Sequence, residues 1–432
     1  MGILIVVIMQ KLHWCTIQKR VNDLVPQEIN PRSISDKQLS DLTKSLKKFN
    51  LVEIPAVDFD GRILAGHQRI KALKLLGRGE EIIDIRVPNR KLTKKESDQY
   101  LIGSNKLGGD WDFDLLKGFE LETLELSGFD KIELSNLFDK EPDLKETDFD
   151  EQAELKKIKT PKTKTGDLIL LGKSKLICED SNNPKVLKRL FGKEKTSLIL
   201  SDPIYNLQIN YNKGIGGKRD FGGNVEDNRT EEEYIDFLRK NIKTALTVTN
   251  EDCHVFYFNT EEQIWILQTL YREFGIRNRR VCLWIKNGSN ETPSVAFSKC
   301  YEPAIYGTLN KPYLSSNEYG LNQIMNSDIG NGNESLDSIN LWTSKRVSGK
   351  QMNHATQKPV DLYHKAIRRC SKIGDIILDS FGGSGSTLIA CTELKRRAYV
   401  IEKEPIFCDL IIRRYEALTG EKAVIIHSNE ER

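Results

Sequence analysis

At 432 residues the chain exceeds one ordinary hydrophobic core, so two or three domains are expected. Apolar residues at 38% and charged residues at 29% describe a soluble globular protein and exclude a disordered one. The net charge of +3 is too small to announce nucleic-acid binding, so any basic surface must be local.

Read in chain order, Gly2–Met9 is apolar but too short to span a bilayer, and no basic residue precedes it. A strand or a mis-assigned start, with Met9 as the initiator, is expected there, and no membrane association. Trp14–Leu24 reads as a strand, and Pro26 and Pro31 break the chain. Ser35-Asp36 can cap a helix whose Leu39, Leu42 and Leu46 recur at helical spacing. Ile54–Phe59, the turn Asp60-Gly61 and Arg62–Ala65 form a hairpin signal. Gly66 then opens a helix through Leu76, and further helices are expected around Glu96–Ser104 and Leu115–Phe138. This small α/β unit is expected to end near Lys140.

Residues 141–164, rich in Lys, Asp, Glu and Thr, read as a linker, so a fragment starting near Lys159 is expected to keep any later ligand site. Residues 165–432 then alternate helical stretches with apolar runs at Leu168–Leu171, Ser197–Leu200, His254–Phe258, Val281–Ile285, Ala304–Tyr306, Ile376–Leu378 and Ala398–Ile401. Such runs have the length of buried parallel strands, and the pattern predicts a doubly wound mixed α/β sheet. The eight cysteines (Cys15, Cys178, Cys253, Cys282, Cys300, Cys370, Cys391 and Cys408) are scattered, and none forms a C-x-x-C pair. That argues against zinc, or any other metal, and for reduced thiols in a cytoplasm.

Two loops carry candidate chemistry. Ser201-Asp202-Pro203-Ile204-Tyr205-Asn206 follows the run Leu198-Ile199-Leu200, at the strand end where open α/β sheets bind ligands. Asp202 offers an acceptor, Pro203 a carbonyl without an N–H, and Tyr205 a ring for stacking, a set suited to an amino group on a flat base. Taken alone, the stretch reads equally as a strand-terminal Asp-Pro turn. The second loop, Asp379-Ser380-Phe381-Gly382-Gly383-Ser384-Gly385-Ser386-Thr387, lies between Ile376-Ile377-Leu378 and a helix over Leu388–Leu394. Glycines admit close approach of a ligand to a helix N-terminus, and Glu402, ending the next strand, suits ribose hydroxyls. The alternative is a dehydrogenase-type loop, but the spacing is not G-x-G-x-x-G and no second nucleotide-binding half follows.

These residues resemble the beta class of amino-group DNA methyltransferases, in which the catalytic motif precedes the cofactor motif. Asp202-Pro203-Ile204-Tyr205 is similar to their Asp-Pro-Pro-Tyr, and Phe381–Thr387 to their Phe-x-Gly-x-Gly-x-Thr. Leu176-Ile177-Cys178-Glu179-Asp180-Ser181, Leu283–Asn287, Tyr301-Glu302-Pro303-Ala304-Ile305-Tyr306-Gly307 and His354-Ala355-Thr356-Gln357-Lys358-Pro359 stand in the expected order, and the likeness covers about Gly166 to Leu418. It implies a class I S-adenosylmethionine-dependent methyltransferase sheet and transfer of methyl to the N6 amino group of adenine in DNA. Asp202, Pro203 and Tyr205 become the catalytic residues. Asp180, Ser181, Lys358, Pro359, Asp379, Phe381, Gly383, Gly385, Thr387 and Glu402 become the S-adenosylmethionine contacts. Ile204 departs from the motif by replacing its second proline.

The first unit resembles ParB/sulfiredoxin-like domains through Asn30-Pro31-Arg32, Pro55-Ala56-Val57, Gly61 and Ala65-Gly66-His67-Gln68-Arg69. The resemblance implies nucleotide or phosphate contact by Gly66, His67 and Arg69. Sulfiredoxin's cysteine is absent from the turn, which argues against reductase chemistry, and Arg69 can equally pair structurally. The tandem of the two domains suggests a phage-like or restriction-modification setting. DNA is the implied partner; a homodimer and a companion restriction endonuclease are left open.

Three other methyl-transfer reactions and one non-catalytic role stand as alternatives. Cytosine carbon-5 methylation needs a cysteine nucleophile, usually after proline, and no Pro-Cys pair exists. N4-cytosine methylation follows the same logic, with Ser usual where Asp202 stands, and protein glutamine methylation tends to have Asn there. A non-catalytic ParB-like DNA-binding regulator with a decayed methyltransferase half is supported by Ile204 and opposed by the intact glycine loop. Target recognition is expected over roughly 286–346, and Arg272, Arg277, Arg279 and Arg280 are candidate phosphate contacts.

Overall fold

The structure, a computed structural model, describes residues 11–27, 36–105, 111, 113–139, 145–146, 149–207, 227–290, 299–315, 340–343 and 358–427. The chain divides into two units, 1–137 and 138–432.

In the first unit, β1 (Trp14–Arg20), β2 (Ala56–Val57), β3 (Ile63–Ala65) and β4 (Ile82–Pro88) form a sheet in the order β1-β4-β2-β3. The expected hairpin joins β2 to β3, its turn held by the Gly61 N–H donating to the Asp58 carbonyl at 2.9 Å. Helices α1 (Asp36–Phe49) and α2 (His67–Leu75) cover the sheet. Leu46, Ile70 and Leu73 pack with Val57, Ile63, Ile83 and Ile85 in its core. Helices α3 (Lys94–Asn105), α4 (Phe113–Leu116), α5 (Leu121–Leu126) and α6 (Lys131–Phe138) follow, so the single helical stretch expected over Leu115–Phe138 is three short helices.

The second unit opens with α7 (Glu151–Lys157), inside the stretch expected to be a linker. Asp150 caps it by accepting from the Gln152 and Ala153 N–H groups. Phe149, Leu155 and Ile158 pack with Phe407 and Leu410 of α14 (Pro405–Thr419). The stretch reads as a linker because it is charged, but its acids are matched by arginines of α14: Glu154 with Arg413 and Glu151 with Arg414.

Ten strands follow: β5 (Leu168–Leu171), β6 (Ser174–Cys178), β7 (Thr196–Ser201), β8 (Thr249–Phe258), β9 (Arg277–Asn290), β10 (Lys299–Leu309), β11 (Leu341–Thr343), β12 (Ile376–Asp379), β13 (Arg397–Glu402) and β14 (Val424–Ile426). They build one mixed sheet, ordered β11-β9-β10-β8-β7-β12-β13-β6-β5-β14. The centre, β8-β7-β12-β13-β6, is parallel throughout. Its apolar runs are continuous because both faces are covered. Leu198, Leu200, Ile377 and Val400 point to one core, with α12 (Val360–Cys370), α13 (Ser386–Glu393) and α14. Ile199, Leu378 and Ile401 point to the other, with α8 (Pro184–Phe191), α9 (Glu231–Leu246) and α10 (Ile264–Glu273). This is the expected doubly wound, mixed α/β fold.

Two runs expected as parallel strands are antiparallel. β5 turns straight into β6 through Gly172-Lys173, and β10 runs against both β8 and β9. Residues 172–173 and 291–298 are too few for a parallel crossover, which takes a dozen or more. Among the described residues no helix is long and apolar enough to cross a membrane.

Candidate active site

The chain leaves β7 for α9 on one face of the sheet and leaves β12 for α13 on the other. Connections that part in opposite directions open a crevice at the carboxyl ends of neighbouring strands. The Ser380 N–H donates to the Ser201 Oγ at 3.2 Å and ties the two strand ends together. A cavity of about 330 Å³ opens between them, a size typical of small-molecule sites. Asp180, Ser181, Asp202, Pro203, Tyr205, Lys358, Asp379, Phe381, Gly383, Thr387 and Glu402 line it.

The loop after β7 is fixed without a second proline. Asn206 takes the left-handed conformation (φ 55°) that asparagine tolerates better than most residues. Its carboxamide donates to the Arg229 carbonyl and accepts from the Arg229 N–H, both at 2.8 Å. The Leu207 N–H donates to Asp227 at 2.9 Å. Ile204 lines the cavity, so its departure from the motif changes a wall while Asn206 holds the backbone.

Asp202 anchors a buried charge cluster. The Tyr205 hydroxyl donates to its Oδ1 at 2.7 Å, and the Lys358 ammonium donates to its Oδ2. Lys358 also donates to the Tyr205 oxygen at 2.7 Å and pairs with Glu302 at 3.3 Å, and Lys286 pairs with Glu302 from the far side. The Lys358 side chain is 1% exposed. Burial raises the Asp202 carboxyl above its ordinary value, against the pull of Lys358. Burial also works to raise Glu302, but Lys358 and Lys286 outweigh it and hold that carboxyl at about 2. Burial, reinforced by Asp202 and Glu302, keeps the Tyr205 phenol protonated. A carboxylate has about four acceptor positions, so two remain on Asp202 for a donor entering from the cavity.

The glycine loop forms the other wall. The Gly382 N–H donates to the Ile401 carbonyl and the Gly385 N–H to the Gly382 carbonyl, each at 2.8 Å. A Cβ on Gly382 would lie 2.6 Å from a Val400 methyl, and one on Gly385, at φ 88°, 3.0 Å from Ile411. These two glycines admit close packing on β13 and α14. A Cβ on Gly383 would meet nothing within 4 Å, so this glycine borders open space. Glu402 accepts from the Gly383 N–H at 2.7 Å and from the Glu404 N–H at 2.9 Å. Burial pushes the carboxyls of both Asp379 and Glu402 up to about 7. Glu179, Asp180 and Glu404 add acids to the lining, and the buried Asn182 Oδ1 has no hydrogen-bond donor among the described residues. Phe237, Phe381 and Phe407 supply flat apolar surface. The arrangement suits a cationic ligand that carries hydroxyl groups and an aromatic ring.

Most residues predicted from sequence therefore meet in one place. Pro359 and Gly385 stand behind the cavity, at the starts of α12 and α13. Lys358, expected among the cofactor contacts, sends its ammonium to Asp202 instead, while its backbone carbonyl accepts from the Ser386 hydroxyl at 2.9 Å. The Tyr205 ring, expected as an open stacking surface, is 9% exposed. Sequence reasoning gave no role to Glu302, Lys286 and Asn206, which stand inside the quoted motifs, and missed Asn182, Arg229 and Phe237. For Glu302 a signal existed: an acid inside an apolar strand must find a buried partner.

In the first unit, Gly66 has φ 96° and packs on Pro55, while burial lowers the neighbouring His67 to about 4. Arg69 pairs with Glu53. Arg279 in β9 donates to Thr308 at 2.8 Å, and Arg272, near the end of α10, to the Gln268 carbonyl at 3.3 Å. Most of the region expected for target recognition, together with His354-Ala355-Thr356-Gln357, Asn30-Pro31-Arg32 and the apolar stretch Gly2–Met9, lies outside the described residues.

Residues 196–413 match the model of a family described as DNA methylase. The chain is 26% identical to the Type II methyltransferase M2.DpnII of Streptococcus pneumoniae, over 57% of this chain and 91% of that protein. It is 26% identical to the Type II methyltransferase M.HpaI of Haemophilus parainfluenzae, over 56% and 74%. It is 24% identical to the DNA adenine methyltransferase YhdJ of Escherichia coli K12, over 53% and 79%. Among solved structures, the M1.HpyAVI–SAM complex aligns at 19% identity with a TM-score of 0.40, over 55% of this chain and 97% of that one. The family match takes in both strand ends, the whole Asp202 cluster and the whole glycine loop: the chain belongs to the DNA methylase family.

Proposed function

We propose that the protein transfers a methyl group from S-adenosylmethionine to the N6 amino group of adenine in DNA. The observation that carries this reading is the Asp202 carboxylate, held at the end of β7 in the same cavity as the glycine loop that follows β12. The adenine specificity named for YhdJ supports the choice of base, as does Asp202 at the position where N4-cytosine relatives usually have Ser.

The residues fit the cofactor. The acids of the cavity suit its sulfonium and ammonium groups, Glu402 suits ribose hydroxyls, and the Asn182 oxygen, without a donor among the described residues, can accept from it. When bound, S-adenosylmethionine supplies a methyl group already activated by its positive sulfur. Everything else falls to the chain. An adenine within a duplex is out of reach and must swing out into the cavity. Asp202 and the Pro203 carbonyl accept hydrogen bonds from the amino group and orient its nitrogen toward the methyl carbon. Asp202 would take up the proton that the amino nitrogen sheds on methylation. Tyr205 and Lys358 keep that carboxylate in place. Asp180, Ser181, Asp379, Phe381, Gly383, Thr387 and Glu402 form the cofactor wall, with Pro359 and Gly385 shaping it from behind. We assign the first unit a supporting role outside methyl transfer, because Arg69 is already paired and His67 is neutral.

Gly383→Leu tests the cofactor wall. The new side chain enters open space, so stability should fall only by the strain of a left-handed leucine, roughly 1–2 kcal/mol. S-adenosylmethionine should raise the melting temperature of the wild type and leave that of Gly383→Leu unmoved. A wild type indifferent to saturating cofactor would refute the assignment.

A further inference from the structure

The stretch that reads as a linker supports the glycine loop from behind. Arg414, on α14, is 3% exposed. Its Nη1 donates to the Ser384 carbonyl at 3.0 Å, with the Ser384 and Ser386 hydroxyl oxygens at 3.3 and 3.4 Å. Both serines line the cavity. The same guanidinium gives Nε and Nη2 to the two carboxylate oxygens of Glu146, each at 2.6 Å, and pairs with Glu151 at 2.7 Å. Glu146 is fastened in turn, its N–H donating to Glu393 at 2.7 Å.

The planar fork of arginine can hold a bidentate carboxylate on one edge and a carbonyl on the other, which a lysine cannot. The outer turn of the loop runs through Gly383 and Gly385, both at positive φ, where glycine adds no side chain to stiffen the backbone. Hydrogen bonds to that backbone must set its shape, and the Arg414 side chain supplies one at the Ser384 carbonyl. Glu146 and Glu151 lie far upstream of the family match, so this support is an addition to the matched region.

We propose that Glu146 and residues 149–157 act as a strap that holds the glycine loop in its cofactor-binding shape, with Arg414 as the positioning residue joining the two. The inference rests on the reading of that loop as the S-adenosylmethionine wall. It also reverses an expectation: a fragment starting near Lys159 would lack both acids and bind the cofactor poorly.

The test uses the full chain with Glu146→Gln, which keeps the shape of the side chain but removes its charge. Calorimetric titration should show S-adenosylmethionine binding about tenfold weaker or more, the size of one hydrogen bond to a charged group. The loss should fall on Kd and the cofactor KM rather than on kcat. Arg414→Lys should weaken binding in the same direction, and the double variant should lose less than the two effects added, since the residues act as one unit. Wild-type affinity in both single variants, with only the melting temperature lowered, would make the strap purely structural and overturn the proposal. A wild type that fails to bind the cofactor would overturn the underlying reading, and that result is visible before any variant is made.

Discussion

Asp202→Ala should lower methyl transfer by roughly a hundred- to a thousandfold, the usual cost of removing one preorganised electrostatic contact. The carboxylate is the side chain in the crevice that is both open to a base and firmly oriented, by Tyr205 at 2.7 Å and by Lys358. Without it an incoming amino group meets no acceptor at that point, and a nitrogen a fraction of an ångström out of line reacts far more slowly. Cofactor affinity should change much less, because the glycine loop and Glu402 are held by their own backbone hydrogen bonds. Asp202→Asn is no milder a change. Its oxygen can still accept from Tyr205, but its amide then directs a donor at the Lys358 ammonium. Single-turnover methylation with saturating cofactor checks both variants. Wild-type rates in either would remove Asp202 from the chemistry.

Lys358→Met should have the largest effect on stability. It removes the buried cation shared by Asp202 and Glu302 and leaves two carboxylates facing the gap. Breaking a buried ion pair by deleting one partner costs about 3–5 kcal/mol, because the remaining charge is uncompensated. Lys286 still neutralises Glu302, so the deficit falls mainly on Asp202, whose carboxyl burial already raises. The variant should therefore lose activity through protonation of Asp202 as well as through reduced stability. Restoring neutrality with Asp202→Ala in the same chain should recover part of the stability and none of the activity. Urea unfolding of the single and double variants reads the coupling directly, and additive losses would mean that the two side chains do not act together.

The parts of this site that could be read in the sequence are those whose meaning is local. Leu198-Ile199-Leu200 and Ile376-Ile377-Leu378 are apolar at every position because helices cover both faces of the sheet, and the loops that follow them declare their chemistry by residue type. What stayed hidden depends on partners far away in the chain. Glu302 lies 97 positions from Tyr205, and Lys358 lies 156 from Asp202, so neither the cluster nor the true direction of the lysine side chain could be seen from spacing. The directions of β5 and β10 were misjudged for a related reason: burial on two faces makes an antiparallel strand read like a parallel one. The charged stretch before β5 looked like a linker because its acids were visible and their arginines, on the last long helix, were not.

Methylation of the adenine amino group is tested by identifying the product. DNA incubated with the purified protein and S-adenosylmethionine would be digested to nucleosides and each modified nucleoside identified by mass. N6-methyladenine is expected with the wild type and should vanish with Asp202→Ala. N4-methylcytosine would contradict the choice of base, and the absence of any methylated base on any DNA would contradict methyl transfer itself and point to Ile204 as the position to restore to proline.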